Sequence, residues 1–117
     1  MILHGADGAK SSFDDTADSI EHHIDFYRMN FSGHGGENIP EKAFSTELFT
    51  KDVISFLNNN ELRQVNIMGY SMGGFVGLYL ASKYPERVSR VFTIGTKFNW
   101  NKDTVRQQTK LLDPKVI

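Results

Sequence analysis

The sequence predicts an α/β protein, a parallel sheet flanked by helices on both faces. Apolar β-runs and helical patterns alternate from Met1 onward, and every strand-to-strand connection is long enough for a crossover helix. With 39% hydrophobic residues, the 117 residues suffice for one core and are too few for two. The expected order is β-α-β-α-β-α-β within a single domain.

The opening Met1-Ile2-Leu3 reads as a strand that runs into a turn, His4-Gly5-Ala6-Asp7-Gly8-Ala9. Ser11 or Ser12 is expected to N-cap a short helix, with Asp14 and Asp15 at its positive end and Phe13, Ala17 and Ile20 on its buried face. Residues 24–30 are rich in β-formers and read as a second strand, which ends in the glycine-dense loop 31–38. Ser45-Thr46-Glu47 opens a longer helix with Phe49, Val53, Phe56 and Leu57 on one face. Asn58-Asn59-Asn60 is expected to close it with left-handed geometry.

The stretch from Gln64 to Pro85 organises the rest. An apolar run, Val65-Asn66-Ile67-Met68, breaks at Gly69-Tyr70-Ser71-Met72-Gly73-Gly74 and continues as a helix rich in small residues, which Pro85 ends. A strand, a tight turn with serine at its apex and a helix make a nucleophile elbow, in which a strained backbone lifts the hydroxyl above the sheet. Glycine is expected at Gly69 and Gly73 because a side chain would collide with the neighbouring strand or helix, and because such a turn demands unusual backbone angles. The free N–H groups at the helix start face any negative charge that develops beside Ser71, and the N–H of Met72 is the first candidate oxyanion donor. Gly73, Gly77 and Ala81 recur at i, i+4, i+8, so one helical stripe can lie close to the sheet.

Residues 88–96 read as a further buried strand, followed by Lys97-Phe98-Asn99-Trp100, where Trp100 either lines a pocket or covers surface. Residues 102–112 are weakly helical and stop at Asp113-Pro114. Ligands of a parallel sheet meet the carboxyl ends of its strands. The loops beginning at His4, Phe31, Ser71 and Lys97 therefore share a rim, and the backbone N–H of Ala6 is the second candidate oxyanion donor. His22 and His23 fall on the opposite edge. His4 and His34, each beside glycine, read as hydrogen-bonded turn residues rather than bases, and Asp7 as a turn residue.

A formal charge of −1, spread evenly, gives no basic stripe for nucleic acid. The absence of cysteine excludes disulfides and thiolate metal sites, and no cofactor or metal is expected. No apolar run reaches membrane-spanning length, so a small, near-neutral partner and a cytoplasmic location are the default expectations.

Taken together, these residues resemble the α/β-hydrolase superfamily over essentially the whole chain. His4-Gly5 resembles its His-Gly oxyanion loop, Gly33-His34-Gly35 its Gly-His-Gly turn, and Gly69-Tyr70-Ser71-Met72-Gly73-Gly74 its elbow. The resemblance implies a serine hydrolase acting on carboxylic esters, thioesters or amides, with Ser71 as nucleophile and Ala6 and Met72 as backbone oxyanion donors. The alternative is a non-catalytic, ligand-binding scaffold that keeps the elbow for structural reasons. Asn30-Phe31-Ser32 stands where the family often has Asp, which implies a local change in loop hydrogen bonding. Family order is Ser, acid, His; no histidine follows Ser71 here, and Asp103 and Asp113 are the only carboxylates late enough to consider as the acid. The expectation is that residues 1–117 form the amino-terminal half of a single hydrolase domain, nearly inert alone, with 97–117 starting a lid. Its open sheet edge along residues 88–96 is expected to pair with the missing half or with itself.

Overall fold

A computed structural model describes residues 1–110 and 115. Three parallel strands, β1 (Ile2–Leu3), β2 (Val65–Tyr70) and β3 (Val88–Ile94), form a sheet in the order β1-β2-β3. Ile2 and Leu3 pair with Met68 and Gly69, which in turn pair with Phe92 and Thr93. The register brings the carboxyl ends of all three strands level, so the turns that follow them open onto one rim.

Helix α1 (Asp14–Ile20) follows a 3₁₀ turn, Lys10–Phe13, and α2 (Thr46–Asn59), α3 (Met72–Lys83) and α4 (Lys102–Thr109) complete the described elements. The expected cap at Ser11 or Ser12 is corrected: Ala9 in extended conformation caps the 3₁₀ turn, and Ser12 reaches back from inside it to accept the Ala9 N–H at 3.2 Å. Ala17 is buried, with Phe13 and Ile20 half-buried beside it. Ser45 caps α2 by accepting the Leu48 N–H at 3.0 Å, and Phe49, Val53 and Leu57 are that helix's buried stripe. At its far end the left-handed residue is Glu61 (φ 54°) rather than one of the asparagines, and Leu62 N–H then closes onto the Leu57 carbonyl at 2.8 Å.

The strand expected over residues 24–30 contracts to a single parallel bridge, Ile2↔Arg28, with Ile2 N–H donating to the Tyr27 carbonyl at 2.9 Å. The reason lies in its partner. β1 is two residues long before the His4-Gly5 turn, and a ladder cannot outrun the strand it pairs with. β3 ends at Ile94 rather than Thr96, because Gly95 turns to φ 62°. Asn101 caps α4 by accepting from Asp103 and Thr104 N–H groups, whereas Asp113 and Pro114 lie outside the described residues.

Leu3, Ile67, Val76, Leu80, Val53 and Leu57 are sealed from solvent between the sheet, α3 and α2. Each such side chain contributes about 1.5–3 kcal/mol of burial. Alternation along β2 puts Val65, Ile67 and Gly69 on this covered face and exposes Asn66 and Tyr70 on the other. The exposed face continues onto β3 through Phe92 and Ile94. None of the described helices is long and apolar enough to cross a membrane.

The tight seam between α3 and the sheet is testable. A Cβ on Gly73 would strike the backbone carbonyls of Leu3 and His4, which cannot yield, whereas one on Gly77 meets the Ile67 Cγ2 methyl at 2.9 Å, which can turn aside. Gly73→Ala is expected to destabilise the complete gene product by about 2–4 kcal/mol and Gly77→Ala by less than half of that, read from urea-unfolding midpoints.

Candidate active site

Ser71 is the residue between the end of β2 and the start of α3, and its backbone sits at φ 50°, ψ −118°. A side-chain-bearing residue there is strained, and it persists only where surrounding contacts hold it. Four do so. Its N–H donates to the Ile94 carbonyl at 2.8 Å, and its own carbonyl accepts from Gly74 N–H at 3.0 Å, Phe75 N–H at 3.4 Å and the Thr96 hydroxyl at 2.9 Å.

The glycines around it serve close approach. A side chain on Gly69 would run into the Gly74 backbone, and one on Gly74 into the Thr96 hydroxyl. The expectation that Gly69 and Gly73 take unusual backbone angles is corrected, since among the described residues of this turn only Ser71 has positive φ. The strain expected at the serine is present, while the unusual angles expected at the glycines two residues to either side are not.

Ser71 opens onto a cavity of about 670 Å³ whose walls include Ala6, Met72, Phe75, Val76, Lys97 and Trp100. Met72 is the first residue of α3, so no carbonyl a turn earlier is there to receive its N–H. Phe75, Val76 and Trp100 make the lining largely apolar, while the Lys97 ammonium lies 5.0 Å from the Trp100 ring centre.

Ala6 reaches this cavity from the turn after β1. The carbonyl of the preceding Gly5 accepts the His4 ring Nδ1–H at 2.7 Å and the Gly8 N–H at 3.1 Å. In a trans peptide the N–H points opposite to the carbonyl. Pinning the Gly5 oxygen on buried His4 therefore aims the Ala6 N–H away from that ring.

His4 is only 1% exposed. Its Nε2 accepts the Phe31 N–H at 3.2 Å, which requires the neutral tautomer with hydrogen on Nδ1. Burial lowers its pKa below the ordinary imidazole value; the Gly5 hydrogen bond opposes this in part, and nearby His34 adds to it. With both nitrogens engaged in this way, neither is left for Ser71.

His34 stands 5.1 Å from His4, centre to centre, among Phe31, Phe44 and Phe49. It is held in its loop by Gly33 (φ 74°) and Gly35 (φ 58°), two backbone settings that favour glycine. Asn30 braces the loop: its Oδ1 accepts the Lys10 N–H at 2.8 Å and its Nδ2 donates to the Gly35 carbonyl at 3.4 Å, a donation no carboxylate makes. His22 and His23 are exposed in the turn after α1, and Asp103 is exposed in the first turn of α4. Asp113 is outside the described residues.

Two supporting residues escaped sequence reading. Thr96, which ties the elbow carbonyl, looked like the end of a strand. Asp52 accepts both the Ser32 N–H (2.8 Å) and hydroxyl (2.9 Å), yet it looked like an ordinary polar position on an amphipathic helix. Only the polar partner across the fold distinguishes either one.

A parallel sheet with a strained serine at a strand-to-helix turn, on the wall of a cavity at the sheet's carboxyl rim, defines an α/β protein of the elbow-bearing class. The family described as alpha/beta hydrolase fold matches residues 1–113, and the chain belongs to it. It is 32% identical over 97 residues to a Cyberlindnera jadinii protein named "Probable alcohol acetyltransferase", covering 81% of this chain and 27% of that protein. It is 34% identical over 64 residues to 3-oxoadipate enol-lactonase 2 of Acinetobacter baylyi, covering 55% of this chain and 24% of that one. The solved structure of a marine microorganism esterase superposes with a TM-score of 0.81 at 24% identity, covering 95% of this chain and 43% of the other. The chain thus spans about a quarter of the length of those two sequence relatives.

The buried neutral His4 predicts a pH dependence. Folding lowers its proton affinity, so the unfolded chain binds more protons; this contribution to stability is complete above the ordinary value of 6.5 and is lost as pH falls from there through the lowered folded value. The unfolding free energy is expected to decline as pH falls across that window with a slope of up to about 1.4 kcal/mol per pH unit, read from urea-unfolding curves, and His4→Gln, which keeps one donor and one acceptor, should flatten it.

Proposed function

We propose that the protein is an acyl-transferring serine hydrolase of carboxylic ester, thioester or amide bonds, with Ser71 as nucleophile and the N–H groups of Ala6 and Met72 as oxyanion donors. The observation that carries the reading is the strained Ser71 (φ 50°) on the wall of a cavity that it shares with Ala6 and Met72. Ser71 Oγ attacks the substrate carbonyl carbon and gives its proton to a base. The carbonyl oxygen, now negative, is stabilised by the two amides; the bond to the leaving group breaks, and that group departs with the proton. Water then attacks the acyl-serine carbon by the same steps and releases the acid. The largely apolar lining suits a small hydrophobic acyl or alcohol portion.

The base is not one of the histidines of residues 1–117. His4 is engaged on both nitrogens, His22 and His23 lie away from the cavity, His34 faces two backbone carbonyls, and no histidine follows Ser71. We place the base, and the acid that orients it, in further segments of the same fold outside this sequence, for which residues 1–117 serve as the amino-terminal part. β3 has one strand partner among the described residues, and Phe92 and Ile94 are 62% and 43% exposed. That edge and face are where such segments, or a second copy, would add.

A second reading differs only in the acceptor: an alcohol in place of water takes the acyl group from Ser71. The relative named as an alcohol acetyltransferase favours it.

In the complete gene product a fluorophosphonate is expected to label Ser71, and Ser71→Ala to abolish labelling and lower ester turnover by at least about 10⁴-fold. A well-folded gene product that resists labelling contradicts the hydrolase reading and favours the non-catalytic scaffold. Ethanol added to an acetyl-ester assay separates the two acceptors. Ethyl acetate formed well beyond the ratio of ethanol to water favours acyl transfer to alcohol, and acetate alone favours hydrolysis.

A further inference from the structure

His34 is placed to control Ala6 from the opposite side to His4. Its Nε2 lies 2.9 Å from the Ala6 carbonyl, and its Nδ1 lies 2.9 Å from the Ser32 carbonyl. Both partners are acceptors, so in either neutral tautomer the ring donates to one of them, and the tautomer with hydrogen on Nε2 ties it to Ala6. Ser32 is itself fixed on α2, since Asp52 takes its N–H and its hydroxyl. Phe31, Phe44 and Phe49 hold the ring plane. Direct contacts at hydrogen-bond distance therefore run from Asp52 through Ser32 and His34 to Ala6.

The path matters because Ala6 is exposed in a short turn next to small residues, Gly5 and Gly8, which restrain it little. His4 fixes the peptide before Ala6 by holding the Gly5 oxygen; nothing on that side fixes the peptide after it. His34 holds the Ala6 oxygen and so fixes that second peptide. The plane that carries the Ala6 N–H is held by His4 and the plane after it by His34, so rotation about the Ala6 φ and ψ is restrained and that N–H is steadied.

We propose that His34 is a positioning residue for catalysis: wedged between the Ser32 and Ala6 carbonyls, it holds the Ala6 peptide against Ser32 and α2, and so keeps the Ala6 N–H in place before an oxyanion forms. The proposal rests on the reading of Ala6 as an oxyanion donor. His34 touches no substrate; it acts through Ala6. A donor held ready stabilises the transition state more than the ground state, so its loss appears in kcat and hardly in KM.

The test uses the complete gene product, with active sites counted by fluorophosphonate titration so that misfolded molecules drop out of kcat. His34→Ala is expected to lower kcat about 10- to 100-fold, below the loss seen for outright removal of an oxyanion donor, with KM within about two-fold. Added imidazole is expected to restore part of kcat by refilling the site. His34→Gln, which fills more of the volume and reaches one carbonyl, should fall between His34→Ala and the parent, and it serves if His34→Ala fails to fold. The infrared carbonyl stretch of an acyl-Ser71 intermediate should move to higher frequency in either variant as its hydrogen bonds weaken. Unchanged kcat per titrated site and an unmoved carbonyl stretch in a folded variant overturn the proposal while leaving Ser71 as nucleophile. Failure of the parent protein to label at Ser71 removes the reading and the proposal together.

Discussion

The structure depends on the seam where the start of α3 presses against the ends of β1 and β2. Ser71 is held at φ 50° by four hydrogen bonds, and the three glycines around it, Gly69, Gly73 and Gly74, leave room for backbone to meet backbone. A strained residue at the mouth of a sheet costs about 1–3 kcal/mol. The burial of Leu3, Ile67, Val76 and Leu80 directly behind it offsets that cost several times over. The same seam sets the level of the rim, because it forces the first residue of α3 to emerge beside the turn after β1.

The two histidines of the glycine-rich turns show how similar sequence contexts give different electrostatic roles. His4 is sealed in the core, accepts a backbone N–H and is held neutral. His34, half-buried one loop away, has a backbone oxygen 2.9 Å from each ring nitrogen. Neither is placed as a base for Ser71. Each has a ring nitrogen at hydrogen-bond distance from a backbone oxygen of the turn that carries Ala6, and in the proposed function the chemistry is assigned to Ser71, two amides and groups outside these residues.

Much of the fold was legible because periodicity and turn chemistry are local. Ser45 announced the start of α2, Phe49, Val53 and Leu57 its buried face, and Gly69 to Gly74 the break between β2 and α3. The departures arise where one segment depends on another. Residues 24–30 have strand-forming composition but meet a two-residue partner, so they make a single bridge. Positive φ falls on Glu61, where composition pointed to asparagine, and in the elbow on the serine without the glycines beside it, because tertiary contacts outweigh intrinsic preference. For the candidate site, the positions of Ala6, Ser71 and Met72 could be read from motifs, whereas Thr96 and Asp52 could not. Their signal is a hydrogen-bond partner 20 or more residues away.

The most direct measurement is a crystal structure of the complete gene product after reaction with a fluorophosphonate, whose bound phosphoryl oxygen stands in for the oxyanion. The account predicts phosphorus bonded to Ser71 Oγ, with that oxygen about 2.7–3.1 Å from the N–H nitrogens of both Ala6 and Met72. An adduct on another residue, or an oxygen turned to solvent with neither amide in reach, would contradict it.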